Sequence, residues 1–206
     1  MKALLVIGNN YTYNENDFKD AYVIGIDKGA KYCLLNNIKM DLALGDFDSV
    51  NKDIYNELLK KTKVIKLNPI KDESDTKYAI NLVRDYDEII IVGGISGNRI
   101  EHFYANLILL NNYNNLKIID DNSIIYTKNN DFVILKDEYK FSSFYSLDNS
   151  TIISLKGFKY NLCDYKLKMN DPLCLSNEII DDKAYVSLKG KLLIIRSKDD
   201  SNEVVL

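Results

Sequence analysis

Hydrophobic positions along the first 125 residues come in two spacings. Residues 3–7 and 22–26 are short apolar runs of the kind that become buried strands, and 30–37 carries a helical period in which Leu34 and Leu35 face a sheet. A short apolar run follows at 42–44, then a helix over 52–61 with Ile54, Leu58 and Leu59 inward, then a strand at 63–67. Residues 75–86 place Ala79, Leu82, Val83 and Tyr86 on one helical face, and 88–92, 101–110 and 116–119 repeat the order strand, helix, strand. Strands and helices taken in turn predict an α/β layer on a mainly parallel sheet.

Beyond about residue 125 the helical period disappears. Residues 132–135, 151–155, 178–180, 185–188 and 192–195 are short strand candidates with Gly, Asp and Asn between them. Lys189 and Gly190, between two such runs, predict the tight turn of a hairpin. This second part reads as a small antiparallel sandwich or barrel.

Composition narrows the function classes. At 206 residues, 46% hydrophobic and 28% charged, the chain is long enough for one large core or two modest ones. Its 27 basic against 30 acidic residues leave a net charge of −3, which argues against a basic nucleic-acid or membrane-surface protein. Lys140, Lys156 and Lys159 lie among aromatic residues in the second part, but without a dense basic stripe they make no nucleic-acid platform. The three cysteines, Cys33, Cys163 and Cys174, are odd in number and match no zinc spacing, so they are expected as buried thiols in a reducing compartment. The apolar run at 1–7 ends at Gly8 and Asn9, too early for a signal peptide or a membrane span, and the expected location is the cytoplasm.

Candidate chemistry is concentrated in three loops of the first part. The run Gly45, Asp46, Phe47, Asp48, Ser49 follows an apolar strand, and alternate carboxylates where a parallel strand gives way to a loop suit Mg²⁺ carrying a polyphosphate. The competing reading is a solvated turn in which Asp48 or Ser49 caps the next helix. The run Lys71, Asp72, Glu73, Ser74, Asp75, Thr76 sets Asp72 and Asp75 about one turn apart at a helix start, where they either approach one ion or cap and charge the helix. Lys71 there either neutralises phosphate oxygens or is solvated. In the third loop, Gly93, Gly94 and Gly97 let backbone amides near an anion, and Arg99 can fork onto a phosphate. That loop lacks the spacing of the dinucleotide and Walker fingerprints. His102, the single histidine, either orients the loop or carries protons, and a multi-histidine metal site is excluded.

Taken together these segments resemble the thiamine pyrophosphokinase family in its shorter bacterial form, over nearly the whole chain. The resemblance runs through Asp27, Lys28, Gly29 and Ala30; Gly45 to Ser49; Lys71, Asp72, Asp75 and Ala79; and Gly93, Gly94, Gly97, Arg99, His102 and Asn106. In the second part it continues through Leu155, Lys156, Gly157, Phe158, Lys159, Tyr160, Leu162, Asp164 and then Ser176, Asn177, Glu178. The expected fold is an N-terminal Rossmann-like parallel α/β domain over 1–125, which binds nucleotide and carries catalysis. A C-terminal antiparallel β-sandwich over 126–206 is expected to bind thiamine and to dimerise.

The resemblance implies transfer of diphosphate from ATP to the hydroxyethyl oxygen of thiamine, giving thiamine diphosphate and AMP, by a homodimer whose thiamine sites join the α/β domain of one subunit to the β domain of the other. It implies Mg²⁺ at Asp46, Asp48, Asp72 and Asp75, and catalysis by these four with Lys71. ATP falls to Asp27, Gly29, Asp48, Ser49, Lys71, Arg99 and His102, and thiamine to Asp75, Asn106, Ser176 and Asn177. Asp72 or Asp75 is favoured over His102 as proton acceptor. Two positions depart from the family pattern: Lys28 stands where a second glycine is usual, and Glu101 where an aspartate is usual. The chain also has no tryptophan, on which some members stack thiamine. The residues alone leave open a different Mg²⁺-dependent nucleotide enzyme, a small-ligand binding module, or a structural protein.

Overall fold

The central strand of the N-terminal unit is its first. In a computed structural model that describes residues 1–8, 11–12, 16, 19–48, 50–70, 72–95 and 99–199, the chain divides into compact units Met1–Asp121 and Asn122–Leu206. The first contains β1 (Lys2–Val6), β2 (Ala21–Ile26), α1 (Lys28–Leu35), β3 (Leu42–Gly45), α2 (Lys52–Lys61) and β4 (Lys63–Lys66). It continues with α3 (Asp75–Leu82), β5 (Glu88–Val92), α4 (Ile100–Leu110) and β6 (Leu116–Ile119). Its strands lie in the order β6-β5-β1-β2-β3-β4, and each adjacent pair is parallel. The chain steps outward from β1 to β4 and then returns to the other side of β1. The order therefore reverses between β1 and β5, which makes the carboxyl edge there a topological switch point.

The continuous apolar runs of β1, β2, β3 and β5 are buried because helices cover a parallel sheet on both faces. Helix boundaries shift from the sequence expectation. Helix α1 begins at Lys28, and Leu35, expected to face the sheet beside Leu34, is 61% exposed. Leu59 on α2 is likewise exposed while Leu58 is buried, with Ile54 partly so. Helix α3 stops at Leu82, which faces outward; Ala79, Ile80 and Val83 form the inward face. In each case one of two adjacent leucine-type residues is inside, since a 100° step cannot turn both to the same neighbour. Asn51 caps α2 by accepting from the Ile54 amide (2.9 Å), and Ser74 caps α3 by accepting from Lys77 (3.2 Å).

The C-terminal unit contains β7 (Ser123–Lys128), β8 (Phe132–Leu135), β9 (Phe141–Ser146), β10 (Ile152–Lys156), β11 (Leu162–Lys166), β12 (Asn177–Glu178), β13 (Lys183–Lys189) and β14 (Leu192–Ser197). Two antiparallel sheets, β12-β9-β14-β7 and β11-β10-β13-β8, share one core that includes Phe144, Ile194, Ile153, Leu155, Val186 and Leu188. This is a β-sandwich. Strands β7, β9 and β11 carry too many polar or aromatic residues to show as apolar runs, and the sequence reading missed them. The hairpin expected at Lys189 and Gly190 is not one: β13 pairs with β10 and β8, whereas β14 pairs with β7 and β9. Gly190 and Lys191 instead pass the chain from one sheet to the other. Cys33 and Cys174 are buried as expected, but Cys163, on the outward side of edge strand β11, is exposed. Among the described residues no helix is long and apolar enough to cross a membrane.

Candidate active site

The carboxyl ends of β2, β3 and β4 are in register, with Ile26 beside Leu44 and Gly45 beside Lys66. That alignment sets Asp27, Asp46 and the start of α3 along one edge of the sheet. Asp27 is the residue before α1, in the position where an aspartate usually caps its own helix. Its side chain makes no such bond. The backbone there is held at φ 47°, ψ −110° by the Asp27 amide donating to the Leu44 carbonyl (2.9 Å) and by Ala30 and Lys31 donating back to the Asp27 carbonyl. Left-handed backbone at a residue other than glycine is strained, and such strain persists where surrounding bonds over-determine it.

The Asp27 carboxyl turns instead toward β3 and α3. Its Oδ1 accepts weakly from the Phe47 amide (3.4 Å), and it hydrogen-bonds the carboxyl of Asp75. Burial first, then the Asp75 charge and that bond, with a smaller push from Asp46, raise the Asp27 carboxyl to about 7 against the lowering effect of the Phe47 amide. Gly45 is required here: a Cβ on it would collide with the Asp27 carboxyl. Gly29 is required by the same economy of space, since its Cβ would run into the Val6 carbonyl at the end of β1.

Phe47 explains the alternation of the first motif. At φ 55° it tucks into the core against Tyr55 (ring centroids 5.3 Å apart), so Asp46 and Asp48 on either side of it project outward. The Asp48 amide donates to Asp46 Oδ1 (3.1 Å), and the Asp48 side chain is exposed. Ser49 lies outside the described residues, as does Lys71. Asp72 is exposed and lines a cleft of about 350 Å³ with Leu67, Asn68, Glu73, Lys77 and Tyr78. The structure thus brings Asp75 to Asp27, with Asp46 within charge range of Asp27, and leaves Asp48 and Asp72 exposed.

In the third loop Ser96, Gly97 and Asn98 lie outside the described residues. Arg99 and His102 are both exposed. Arg99 Nε donates to Glu101 Oε1 (2.7 Å), and this bond first of all holds the Glu101 carboxyl below the usual range. The longer glutamate at 101 therefore holds the arginine, and a phosphate must compete with an exposed pair of small worth. Asn106, buried on α4, approaches Gly94 at the end of β5. Lys28, at the start of α1, is exposed. In the C-terminal unit Ser176 is exposed at φ 53° with its amide donating to Ser143 Oγ (2.9 Å), and Asn177 is buried.

Asp27 is the residue whose role the sequence understated. It was expected to contact nucleotide, and it is also the partner of Asp75. Its signal was an aspartate directly after a buried strand and two residues before a glycine. Among the described residues, no three carboxylate, histidine or cysteine side chains already stand as a ready-made metal site. The Asp27 and Asp75 pair nonetheless fits Mg²⁺, which takes hard oxygen donors and needs only one or two protein carboxylates when phosphate and water complete its shell.

Comparison with known proteins gives the family. Residues 15–119 match the family described as "Thiamin pyrophosphokinase, catalytic domain", and residues 128–193 match "Thiamin pyrophosphokinase, vitamin B1 binding domain". A thiamine pyrophosphokinase of Bacillus subtilis (strain 168) is 34% identical over 186 residues, covering 85% of this chain and 87% of that one. The crystal structure of a Bacillus subtilis thiamine pyrophosphokinase superposes with a TM-score of 0.84 at 30% identity, over 97% of this chain and 100% of the other. A thiamin pyrophosphokinase family protein from Enterococcus faecalis gives 0.85 at 26% identity, over 97% and 99%. The chain belongs to the thiamine pyrophosphokinase family, and its reaction is transfer of diphosphate from ATP to thiamine, giving thiamine diphosphate and AMP.

Proposed function

We propose that the carboxyl edge of β2, β3 and β4 is where the transfer takes place, and the observation that carries this reading is the hydrogen-bonded pair of carboxyl side chains, Asp27 and Asp75. Like charges brought together at a ligand-accepting edge cost stability unless a cation binds there. Asp46, Asp48, Asp72 and Asp75, with Asp27, are the oxygen donors for Mg²⁺. When bound, the ion screens the phosphate oxygens and the charge gathering on the departing AMP.

The remaining roles belong to the chain. Gly29 keeps the first turn of α1 close to the end of β1, with its amides near the nucleotide. Lys71, Ser49, Arg99 and His102 hold ATP phosphates, with Arg99 exchanging Glu101 for a phosphate oxygen. Asp75 or Asp72 accepts the proton of the thiamine hydroxyl as that oxygen bonds to the β-phosphorus and the bridging oxygen leaves with AMP. Asp75 and Asn106 serve thiamine from the N-terminal unit, and Ser176 and Asn177 from the C-terminal one.

The chain is proposed to work as a homodimer in the cytoplasm. Support for self-association is the outer face where Val133 and Leu135 on β8 and Tyr185 on β13 stay exposed, with Tyr185 directly opposite Val133 and Lys183 opposite Leu135. Support for a reducing setting is the three free thiols. The test is a time course with ATP, MgCl₂ and thiamine, separating products by chromatography. Equal AMP and thiamine diphosphate, absent without magnesium, is the expected result; ADP with thiamine monophosphate, or undiminished turnover in EDTA, overturns it.

A further inference from the structure

The chain enters α3 through Glu73, which sits between Asp72 and Asp75 and directly before the capping Ser74. A residue in that place, just outside a helix, is often apolar and packs on the first turn, which fixes the angle at which the chain arrives. Here it is a half-buried carboxylate, and its tie is polar and reaches further. Asn81 Nδ2 donates to Glu73 Oε2 (3.2 Å), and Lys77 Nζ lies 4.0 Å from the same oxygen. Lys77 and Asn81 stand on one face of α3, so the Glu73 side chain lies along the helix.

The far end of this tie is itself fixed. The Tyr113 hydroxyl donates to Asn81 Oδ1 (2.9 Å), which leaves the amide nitrogen to face Glu73. Tyr113 belongs to the turn after α4, and that turn is clamped to the chain leading from α3 into β5. Asn115 Nδ2 donates to the Tyr86 carbonyl (2.7 Å), and the Ile89 amide donates to the Asn115 carbonyl (2.9 Å). Among the described residues, the loop between β4 and α3 is otherwise held at its beginning, where the Leu67 amide donates to the Gly45 carbonyl (2.8 Å), and by a local turn from the Ile70 amide to Asn68 Oδ1 (2.9 Å). Polar ties at a solvated surface add little to global stability. Their effect is on where the main chain lies, and a misplacement of about 1 Å costs up to about 10²-fold in rate.

We propose that Glu73 is a positioning residue for diphosphate transfer: Tyr113 and Asn81 hold its carboxylate, and Glu73 in turn holds Asp72 in place against Asp75. This rests on the reading that Asp72 and Asp75 serve the transfer. It also gives a task to the third acid of that run, which is an anchor and not a further ligand to the ion.

Steady-state kinetics of AMP release, with urea unfolding of the same variants, test this. Glu73→Ala is expected to lower kcat about 10-fold, with both KM values within about 2-fold and the urea midpoint unchanged. Glu73→Gln keeps an oxygen that accepts from Asn81, and its kcat is expected within about 2-fold of the unmodified chain. Asn81→Ala should match Glu73→Ala, and the double variant should fall no further, since both cut one tie. Tyr113→Phe, which frees the Asn81 amide to turn, should lose about 3-fold. An unmoved kcat in Glu73→Ala, a loss in Glu73→Gln as large as in Glu73→Ala, or a midpoint that falls in step with kcat overturns the anchor. Asp75→Asn in the same assay separates this from the broader reading. If it and Glu73→Ala both turn over normally, both fail; if only Glu73→Ala does, the anchor alone fails.

Discussion

One carboxylate pair in the N-terminal unit is treated in the opposite way from the paired acids of the C-terminal unit. In the C-terminal unit acids meet donors: Asp137 takes both terminal nitrogens of Arg196 (2.8 and 2.7 Å), and Asp148 accepts from the Ser150 amide, the Thr151 hydroxyl and the Lys191 amide. Burial alone works against the charged form of Asp148, but these bonds outweigh it and hold the carboxyl below the usual range. In the N-terminal unit Asp27 faces another acid and is raised. The lesson is that Asp137 and Asp148 find their donors within their own unit, while the Asp27 and Asp75 edge is arranged to receive positive charge.

Removing Asp75 should expose this contrast most strongly. Asp75→Asn keeps a hydrogen-bonding side chain beside Asp27 but deletes the like charge, so AMP formation is expected to fall about 10³-fold. Its urea midpoint should equal or exceed that of the unmodified chain, and a clear loss of stability would mean that the pair is structural. The mirror experiment is Arg196→Met. It strands Asp137 and leaves the Tyr139 carbonyl and Ser142 hydroxyl without the donor they now share. A loss of about 3 kcal/mol in urea unfolding is expected. Asp148→Ala, which unties the Gly190 corner from the turn before β10, should cost about 1–2 kcal/mol.

The effect sharpest in sign is on pH. The folded-state pKa of Asp27, about 7, lies above its reference of 3.8, so the folded chain binds the extra proton between these values. Stability without ligand should therefore decline as pH rises from about 4 to about 7. Asp148 acts the other way, its contribution being present above 3.8 and lost as pH falls through its lower folded value. Denaturation curves across this range should show the decline flattened by Asp75→Asn and by saturating MgATP, but not by Asp148→Asn.

What could be read from the chain follows from what each signal depends on. Strands β1 and β5 were evident because both faces are covered and the apolar run is unbroken, and α2 was evident because its charges leave one stripe for Leu58. Strands β9 and β11 were not, since Ser142, Ser143 and Asp164 are paired by partners far along the chain that no local pattern reveals. The same holds at the site. Asp46 and Asp75 stand in recognisable motifs, but their meeting with Asp27 depends on the register of β2 with β3. Asn177 was legible as part of a motif, yet its two hydrogen bonds with the Tyr160 main chain, Nδ2 donating to the carbonyl (2.7 Å) and Oδ1 accepting from the amide (3.1 Å), required the turn to be folded back onto β12.

The strand order also sets a schedule. Because β1 lies between β2 and β5, it keeps one open edge until residues 88–92 have been made, although it precedes both of them in the chain. An apolar strand waiting that long invites pairing with other chains. Synthesis through Asp121 closes that edge and adds β6 before any strand of the second unit exists. Nascent chains stalled just short of residue 88 should consequently be cut rapidly by protease, and those stalled well past residue 121 should resist.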